Sequence, residues 1–537
     1  MYVDLISDIS NGSAYKPPNR KTLRQLVLAR SGLAKLQLKD EVTSLIASGV
    51  KFGCGTDVWS SGDISLNGGA IYYINEDCRM QERIFMAEPF MHLTHTALNI
   101  TNMTLAALRA AGFPEAKTSS AISSKVHDHA PNVVNGMNNL GSEDNHDLPG
   151  SGCYCHKLEL SAKSFLGADG VKDVVKKSKG TANHFAHARG KNGLPRFRKI
   201  QEDNGFTPKN PQKGSATRWS GAYDQMEFNR EFQVCIQLYD LENTSDDVYN
   251  KCKYDVEDWT MNEEACAVLA PIAFATKWAE GTNYATKCAY LPMTYALIDA
   301  TEYDAPVVYN FKGTEPKLVA AALLTTPTRD ARELMHRDLI DRFVAQVEGT
   351  SSEIDYWIAL FLDPQFNHGK FTSERNVPAA KIAWGLEQLR ALWAREYKPT
   401  PEVPDPAPAT EAGANVQPPK KAKTTTSLFG LLAMTQSLAA PPPPVDDPAV
   451  EVDELEMYLA RPQLTVTENF NVLKWWRAHT GVYPHLVKMV RNVLGCPLSS
   501  AGVERLFSDA GRMYSDEQQQ MRAELMKAVL FAATLDD

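Results

Sequence analysis

The sequence of 537 residues predicts a mixed α/β layer fold joined to a large helical part, in short α/β plus α. After Lys51, three short segments alternate in polarity and are rich in β-branched or aromatic residues, and the strands that follow are separated by helices. A helical period then dominates residues 220–397. A Pro-, Ala- and Thr-rich stretch at 398–450 precedes a last segment with a helical pattern.

The elements follow in a fixed order. Residues 1–50 are predicted to be helical, because TLRQLVLARSGLAKLQ has helix-like apolar spacing. Three successive strands are predicted for FGCGTDVW, ISLNGGAIYYI and RMQERIFMAEPF. The next predicted elements are a helix over 99–111, a strand over 121–128, a helix over 130–140, and a strand running into a helix over 152–166. The predicted order is therefore β-β-β-α-β-α-β-α.

Shifts in composition divide the chain into five expected parts. These are a helical segment (1–50), an α/β core (51–219), a helical block (220–397), a linker expected to be disordered (398–450) and a helical C-terminal segment (451–537).

Composition limits the classes of protein that fit. A hydrophobic content of 43% and a charged content of 23% are ordinary for a globular protein. No apolar run reaches the length that spans a membrane, and the first residues lack the pattern of a secretory signal. The nine cysteines are scattered without a CxxC pair, which favours a reducing compartment.

Charge is distributed unevenly. The net charge of −9 argues mildly against nucleic-acid binding. From Lys157 to Lys199, however, eleven Lys and Arg residues stand against three acids. Such a segment fits either a local surface that holds phosphates or a solvated loop.

Two aspartates lie at informative points of the predicted sheet. Asp57 is expected near the end of the first strand and Asp128 at the end of the fourth. If the fourth strand lies beside the first, the two carboxylates are neighbours, and they repel unless a cation or a proton neutralises them. Mg²⁺ is a cation that binds one or two carboxylates together with substrate phosphates. A turn or helix-capping role is the alternative for each aspartate.

A third acid stands on a late amphipathic helix predicted over 497–511, capped by Ser499 or Ser500 and closed by Gly511. Glu504 lies at the edge of its apolar stripe, and its neighbours at helical steps are all small. With the two aspartates it would complete a site for two metal ions, which activate an attacking oxygen and stabilise a leaving one. The alternative is a flanking side chain, and Arg505 is adjacent.

The C-terminal sequence resembles the dimerisation region of hAT-superfamily transposases. That family combines Trp-Trp, Tyr-Pro-x-Leu and Pro-x-Ser-Ser-x-x-x-Glu-Arg-x-Phe-Ser-x-Ala-Gly. This chain has Trp475 and Trp476, then Tyr483 to Leu486, then the last motif from Pro497 to Gly511. The resemblance implies dimerisation through this region; its candidate residues are Trp475, Trp476, Tyr483, Leu486 and Phe507.

The likeness continues through most of the chain. TDVWSS, KVHDHAPNVVNGMNNL, CYCHKLEL, TRWSGAYDQM and FLDPQFN are similar to family motifs. The resemblance implies a ribonuclease H-like mixed sheet interrupted by a large all-helical insertion. It also implies catalytic acids at Asp57, Asp128 and Glu504, which would bind Mg²⁺ or Mn²⁺.

The implied function is metal-dependent DNA cleavage followed by strand transfer, in the nucleus, with DNA and a second copy of the chain as partners. No membrane and no small-molecule substrate is expected. Trp219 would stack on an unpaired base, with a core tryptophan as the alternative. The full set of candidate DNA-binding residues is His156, Lys176, Lys177, Lys179, Arg196, Arg198, Arg218 and Trp219. Lys420, Lys421 and Lys423 fit a nuclear import signal or a plain linker.

Several features depart from the family. No Cys/His set matches its BED-type zinc finger, and Cys153 with His156 lacks a second pair, so no zinc site is evident. Histidines flank Asp128, and Gln365 and Asn367 replace basic residues. The alternative function is therefore a catalytically inactive, domesticated or truncated relative that dimerises and binds DNA or chromatin.

Overall fold

The fold is described by a computed structural model. The described residues are 18–61, 64–90, 93–116, 118–140, 148–187, 193–211, 219–242, 247–310, 315–371, 377–399, 453–467, 470–513 and 523–533. Nearly all of the predicted linker, including the lysine run at 420–423, lies outside these ranges.

A five-stranded mixed sheet is formed by strands that lie between residues 52 and 152. Its strands, in chain order, are β1 (Phe52–Ser61), β2 (Ile64–Ile74), β3 (Met80–Pro89), β4 (Ile122–His127) and β5 (Gly150–Gly152). They are arranged β3-β2-β1-β4-β5. The first three are antiparallel neighbours, whereas β4 runs parallel to β1 and β5 runs parallel to β4. The predicted order of strands and helices is confirmed.

Helices make up most of the rest. They are α1 (Arg20–Ala47), α2 (Ala97–Ala110), α3 (Pro131–Asn138), α4 (Tyr154–Leu166), α5 (Val171–His187), α6 (Leu194–Asp203), α7 (Trp219–Glu231), α8 (Gln233–Glu242), α9 (Asp247–Asn250), α10 (Val256–Ala279), α11 (Tyr290–Thr301), α12 (Thr326–Ile340), α13 (Ser351–Phe361), α14 (Ala379–Leu392), α15 (Glu454–Leu459), α16 (Val472–Ala478), α17 (Pro484–Leu494), α18 (Ala501–Met513) and α19 (Ala523–Ala533). Short 3₁₀ turns span Thr118–Ala121, Lys287–Ala289 and Ala321–Leu323, and π-helical turns extend α12 over Asp341–Ala345 and α14 over Trp393–Tyr397.

Two sequence predictions need correction. The block at 220–397 is not all-helical, because Val307–Tyr309 (β6) and Lys317–Val319 (β7) pair as an antiparallel hairpin. The β-branched and aromatic side chains of β6 favour this extended backbone. The late helix also continues past Gly511 to Met513, since a glycine in a helix costs stability without forcing an end.

The sheet separates two apolar cores. Along β2, Tyr72 and Ile74 face the core that contains the helical block and the C-terminal helices. The alternate residues Ile71 and Tyr73 face a smaller core with residues of α1, α2 and α3. This alternation follows from the period of two in a strand. Both faces of the sheet are therefore buried.

Helix α18 packs closely on the first of these cores. A Cβ atom at Gly68 of β2 would lie 2.6 Å from the ring of Phe507. The same ring stacks on Trp59 of β1, with centroids 6.2 Å apart. Glycine at position 68 thus lets α18 approach the strands that carry the candidate acids.

The C-terminal segment is attached to one turn of the helical block, residues 361–370. Tyr458 donates its hydroxyl to the carbonyl of Phe361, and Trp476 donates Nε1 to the carbonyl of Leu362 at 2.8 Å. In the other direction, Gln365 donates to the carbonyl of Thr465. The 361–370 turn therefore exchanges hydrogen bonds with the segment after the linker.

Gln365 and Asn367 are two of the departures from the family pattern. Their exposed fractions are only 4% and 1%. Asn367 donates to the carbonyl of Arg461 at 3.1 Å. A basic residue at either position would bury a charged group where this chain places a neutral amide, which is costly. The neutral amides fit the site that this chain builds.

Among the described helices, none combines the length and the apolar character that crossing a bilayer requires.

Candidate functional site

Asp57 and Asp128 are brought together by the register of two strands. Parallel pairing of β1 with β4 places Thr56 opposite His127. The next residue on each strand is an aspartate, so the two carboxylates project from neighbouring backbones. The prediction that Asp57 lies near the strand end is only partly right. The pairing with β4 stops at Thr56, but β1 continues to Ser61 through its pairing with β2.

Glu504 reaches the same place through the connection between α4 and α18. The backbone N–H of Tyr154, at the start of α4, donates to the carbonyl of Leu498 at 2.9 Å. The buried thiol of Cys153 accepts from the N–H of Ser500 and lies 3.5 Å from the hydroxyl of Ser499. Cys153 therefore anchors the entry to α18, and Glu504 stands in the first turn of that helix.

The three acids line one cavity of about 500 Å³. Its other lining residues are Val58, Trp59, His156, Glu159, Ser500, Phe507 and Ser508. A second cavity of about 640 Å³ shares His156, Glu159 and Glu504 with the first and extends along α7 and α10. The small side chains of Ser500 and Ser508 leave the volume beside Glu504 open.

The electrostatics at this sheet edge oppose ionisation of Asp57. Burial, together with the nearby carboxylates of Asp128 and Glu504, raises the pKa of Asp57 to about 8. The N–H of Val58, which donates to Oδ1 of Asp57 at 2.7 Å, acts against this rise. Three carboxylates in one cavity are stable together when a cation or protons reduce their repulsion.

Histidines surround Asp128. Nδ1 of His156 lies 3.2 Å from its Oδ1, and the N–H of His129 donates to the same oxygen at 2.6 Å. Burial lowers the pKa of His127 to about 4 and, with repulsion from Lys157, lowers the pKa of His129 to about 3. Both imidazoles are therefore neutral at pH 7.

Sequence reasoning missed one cluster here. The metal-ligating atoms of Asp128, His129 and His156 all lie within 4.8 Å of one another. The two histidines are far apart in the sequence and neither matches a zinc spacing, so the expectation that no zinc site is evident rested on spacing alone. The available signal was His129 itself, where the family pattern has Asn.

The donor set suits a divalent ion. Asp57, Asp128 and Glu504 offer carboxylate oxygens, the ligands that Mg²⁺ and Mn²⁺ prefer. The raised pKa of Asp57 indicates that the arrangement is incompletely compensated by the chain's own charges. The residues therefore fit the implied metal.

The candidate basic surface is partly compensated within the chain. Lys177 forms ion pairs with Asp258 and Asp255, and Arg196 forms one with Glu242. Arg198 donates to Asn210 at 2.9 Å. Lys176 and Lys179 are exposed on α5.

The predictions for Arg218 and Trp219 of the TRW motif have different outcomes. Arg218 lies outside the described residues. Trp219 begins α7 and is only 4% exposed, packed in the core against Tyr223. Although it borders the second cavity, its buried ring favours the core interpretation over base stacking.

The candidate dimerisation residues lie mainly inside the single chain. Trp476, Tyr483, Leu486 and Phe507 are buried in the main core, and Trp475 is half-buried against it. A side chain already buried by its own chain offers little surface to a second copy. These residues stabilise the packing of the C-terminal region within one chain.

Comparison with known proteins identifies the C-terminal region. Residues 454–534 match the family model described as the hAT family C-terminal dimerisation region. Over 81 residues the chain is 32% identical to a putative AC transposase of Zea mays, a match that covers 15% of this chain and 10% of that protein. Over 56 residues it is 36% identical to the transposable element Hobo transposase of Drosophila melanogaster, covering 10% of this chain and 8% of that protein.

A longer match joins the chain to a plant protein. It is 23% identical over 337 residues to the zinc finger BED domain-containing protein RICESLEEPER 1 of Oryza sativa subsp. japonica, covering 59% of this chain and 41% of that protein. The chain spans half or less of the length of the curated relatives that it matches.

Proposed function

We propose that this chain is an hAT-type DNA transposase or a derivative that cleaves DNA with divalent metal ions, because residues 454–534 match the hAT family C-terminal dimerisation region. The observation that carries the proposal is the shared cavity of Asp57, Asp128 and Glu504. These residues come from two strands and a helix near the opposite end of the sequence. Local structural roles at three separate positions would not bring them to one cavity.

The sheet supports a ribonuclease H-like catalytic core. Three antiparallel strands are followed by two that run parallel to β1, and the first acid stands beside the second across the β1–β4 pair. The helical block between α7 and α14 would be the insertion, and α18 would return to complete the core. The proposed units keep the boundaries expected from the sequence.

In the proposed mechanism, Asp57, Asp128 and Glu504 hold Mg²⁺ or Mn²⁺. When bound, the metal would activate a water or a 3′-hydroxyl and stabilise the leaving oxygen of a phosphodiester. His156 contacts Asp128 at 3.2 Å and orients that carboxylate. Ser500 and Ser508 keep the entrance open for the DNA backbone.

A nicking assay tests the catalytic proposal. Supercoiled plasmid incubated with purified full chain and Mg²⁺ or Mn²⁺ should be nicked, and Glu504→Gln should abolish nicking. Asp509→Asn is the matched control, since Asp509 is on the same helix but does not line the cavity. Equal nicking by the wild type and Glu504→Gln, or none by the wild type, would reject a catalytic site at these acids.

The second candidate is a transposase-derived protein that dimerises without cleaving DNA. It is favoured by the long match to a relative named for a zinc finger BED domain and not as a transposase. The charge compensation of Lys177 and Arg196 also reduces the expected phosphate-binding surface. A wild-type chain that dimerises but shows no metal-dependent nicking would support it.

Self-association is proposed to use the outer face of residues 451–537. Val482 is half exposed there, whereas its neighbour Tyr483 is buried. Sedimentation velocity of the full chain should show a dimer at micromolar concentration, and a monomer at that concentration would contradict this part of the proposal. Nuclear localisation is proposed with it, because DNA is the proposed substrate.

A further inference from the structure

A second donor set adjoins the carboxylate cavity and differs from it in chemistry. It consists of Asp128, His129 and His156, with their ligating atoms within 4.8 Å of one another. The imidazole rings of His129 and His156 stack nearly parallel, with centroids 5.1 Å apart and an interplanar angle of 13°. One carboxylate and two imidazoles thus face a common point.

The position of His129 is built into the sheet. A Cβ atom at Gly152 of β5 would lie 2.1 Å from the His129 ring. Any larger residue at position 152 would therefore displace the imidazole. The N–H of His129 also donates to Oδ1 of Asp128, which links the backbone of one ligand to the carboxylate of another.

The His129 ring carries an unsatisfied atom. Its Nδ1 is buried and has no hydrogen-bond partner among the described residues. Leaving a buried polar atom unpaired costs free energy. A bound cation that accepts the lone pair of Nδ1 would remove this cost.

The donor types decide which ions fit. Imidazole nitrogen suits Zn²⁺, Co²⁺ and similar transition metals, whereas Mg²⁺ takes oxygen ligands almost exclusively. Two histidines and one carboxylate leave coordination positions open for water or substrate. All three ligand atoms lie within 4.8 Å of one another, and Nδ1 of His156 is 3.2 Å from Oδ1 of Asp128.

We propose that Asp128, His129 and His156 bind one transition-metal ion of the Zn²⁺ or Co²⁺ type in preference to Mg²⁺. The proposal rests on the proposed function only in sharing Asp128 with the nuclease site. It would give one metal position of that site a preference for nitrogen-binding ions. Binding itself is measured without any cleavage.

The test is Co²⁺ and Zn²⁺ binding to the full chain without an affinity tag. Wild-type protein should bind one Co²⁺ with visible ligand-field absorption, and Zn²⁺ should displace it. A tenfold excess of Mg²⁺ over Co²⁺ should leave the spectrum in place. His129→Asn and His156→Asn should each weaken Zn²⁺ binding at least about tenfold.

Two further variants distinguish a failure of the metal-binding inference from a failure of the proposed nuclease activity. Glu504→Gln removes an acid of the proposed nuclease site but none of the three ligands, so it should retain Zn²⁺ binding within about twofold while losing nicking. His95→Asn is a control for histidines elsewhere, because His95 packs on Phe90, away from this cluster. The free cysteines remain in every variant, so binding by thiols would appear equally in all of them.

Unchanged Zn²⁺ affinity in both His129→Asn and His156→Asn would overturn the inference, as would displacement of Co²⁺ by Mg²⁺. Loss of nicking with normal Zn²⁺ binding would reject the nuclease alone. If one histidine variant unfolds at a lower temperature without metal, the other still decides the outcome.

Discussion

Two regions of this molecule bury polar groups in opposite ways. At the 361–370 turn, Tyr458 and Trp476 of the segment after the linker donate to carbonyls of the turn, and Gln365 of the turn donates to the carbonyl of Thr465. At the sheet edge, Asp57, Asp128 and Glu504 line one cavity, and like charges face one another.

The difference shows what each region is organised to bind. These hydrogen bonds of the turn are made within the chain, so they stabilise the fold. The sheet edge is complementary to a cation, because its donors are oxygens and nitrogens that the chain leaves without an adequate counter-charge. We therefore expect that removing a hydrogen-bonding side chain at the turn lowers the stability, whereas removing a charged group at the sheet edge raises it.

The largest expected effect is at the turn. Trp476→Ala should lower the free energy of unfolding by about 3–5 kcal/mol, because it removes a fully buried ring and leaves the Leu362 carbonyl without its donor. Denaturant unfolding measures the loss. Trp475→Ala should cost clearly less, since that ring is only half-buried; equal losses would show that the turn is not the anchor.

A pH dependence should come next in size. Burial raises the pKa of Asp363 in the turn to about 7. The folded state then binds more protons than the unfolded state between about pH 4 and 7. The contribution of this group to stability is thus full below pH 4 and is lost as the pH rises through 7.

Asp363→Asn should remove that loss. The difference in unfolding free energy between variant and wild type should change in the variant's favour from pH 4 to pH 8, by about 1.4 kcal/mol for each unit of pKa difference. Unfolding curves at several pH values measure it. A difference that stays constant across this window would mean that the carboxyl is solvated in the folded chain.

At the sheet edge, a similar substitution should stabilise. Asp57→Asn keeps an acceptor for the Val58 N–H and removes repulsion with Asp128, so the metal-free protein should gain about 1 kcal/mol or more. The same variant should lose the rise in melting temperature that Mn²⁺ gives the wild type. A metal-free variant less stable than wild type would contradict the proposed repulsion.

The smallest effect is expected within α18. Gly511 is helical, and an added Cβ would make ordinary contact with Trp59 at 3.6 Å. Gly511→Ala should therefore raise stability by about 0.5–1 kcal/mol. Gly68→Ala is the matched contrast, because its Cβ would collide with Phe507; a gain in both variants would show that α18 is not tightly seated.

Local patterns predicted the sheet well. Alternation and turn chemistry define the strands, and the pairing of β1 with β4 brings Asp57 beside Asp128 as expected. Helical periodicity likewise predicted α10, α12 and α14. Such features depend on neighbours within a few residues, which a single sequence displays.

Features that depend on distant partners were harder to predict. The ion pair of Lys177 with Asp258 crosses from α5 to α10, so a run of lysines gave no sign of its compensation. The resemblance made Trp476 and Tyr483 candidates for a dimer interface, but it could not show whether their own chain or a second copy buries them. The stacking of His129 on His156 depends on the room left by Gly152.

The attachment of α18 to the sheet also determines when, during synthesis, the three acids can come together. Asp57 and Asp128 leave the ribosome several hundred residues before Glu504 does. A chain cut short before that helix would hold two of the acids and could not complete the set. Any reaction that needs all three acids is thereby withheld from chains that end before that helix.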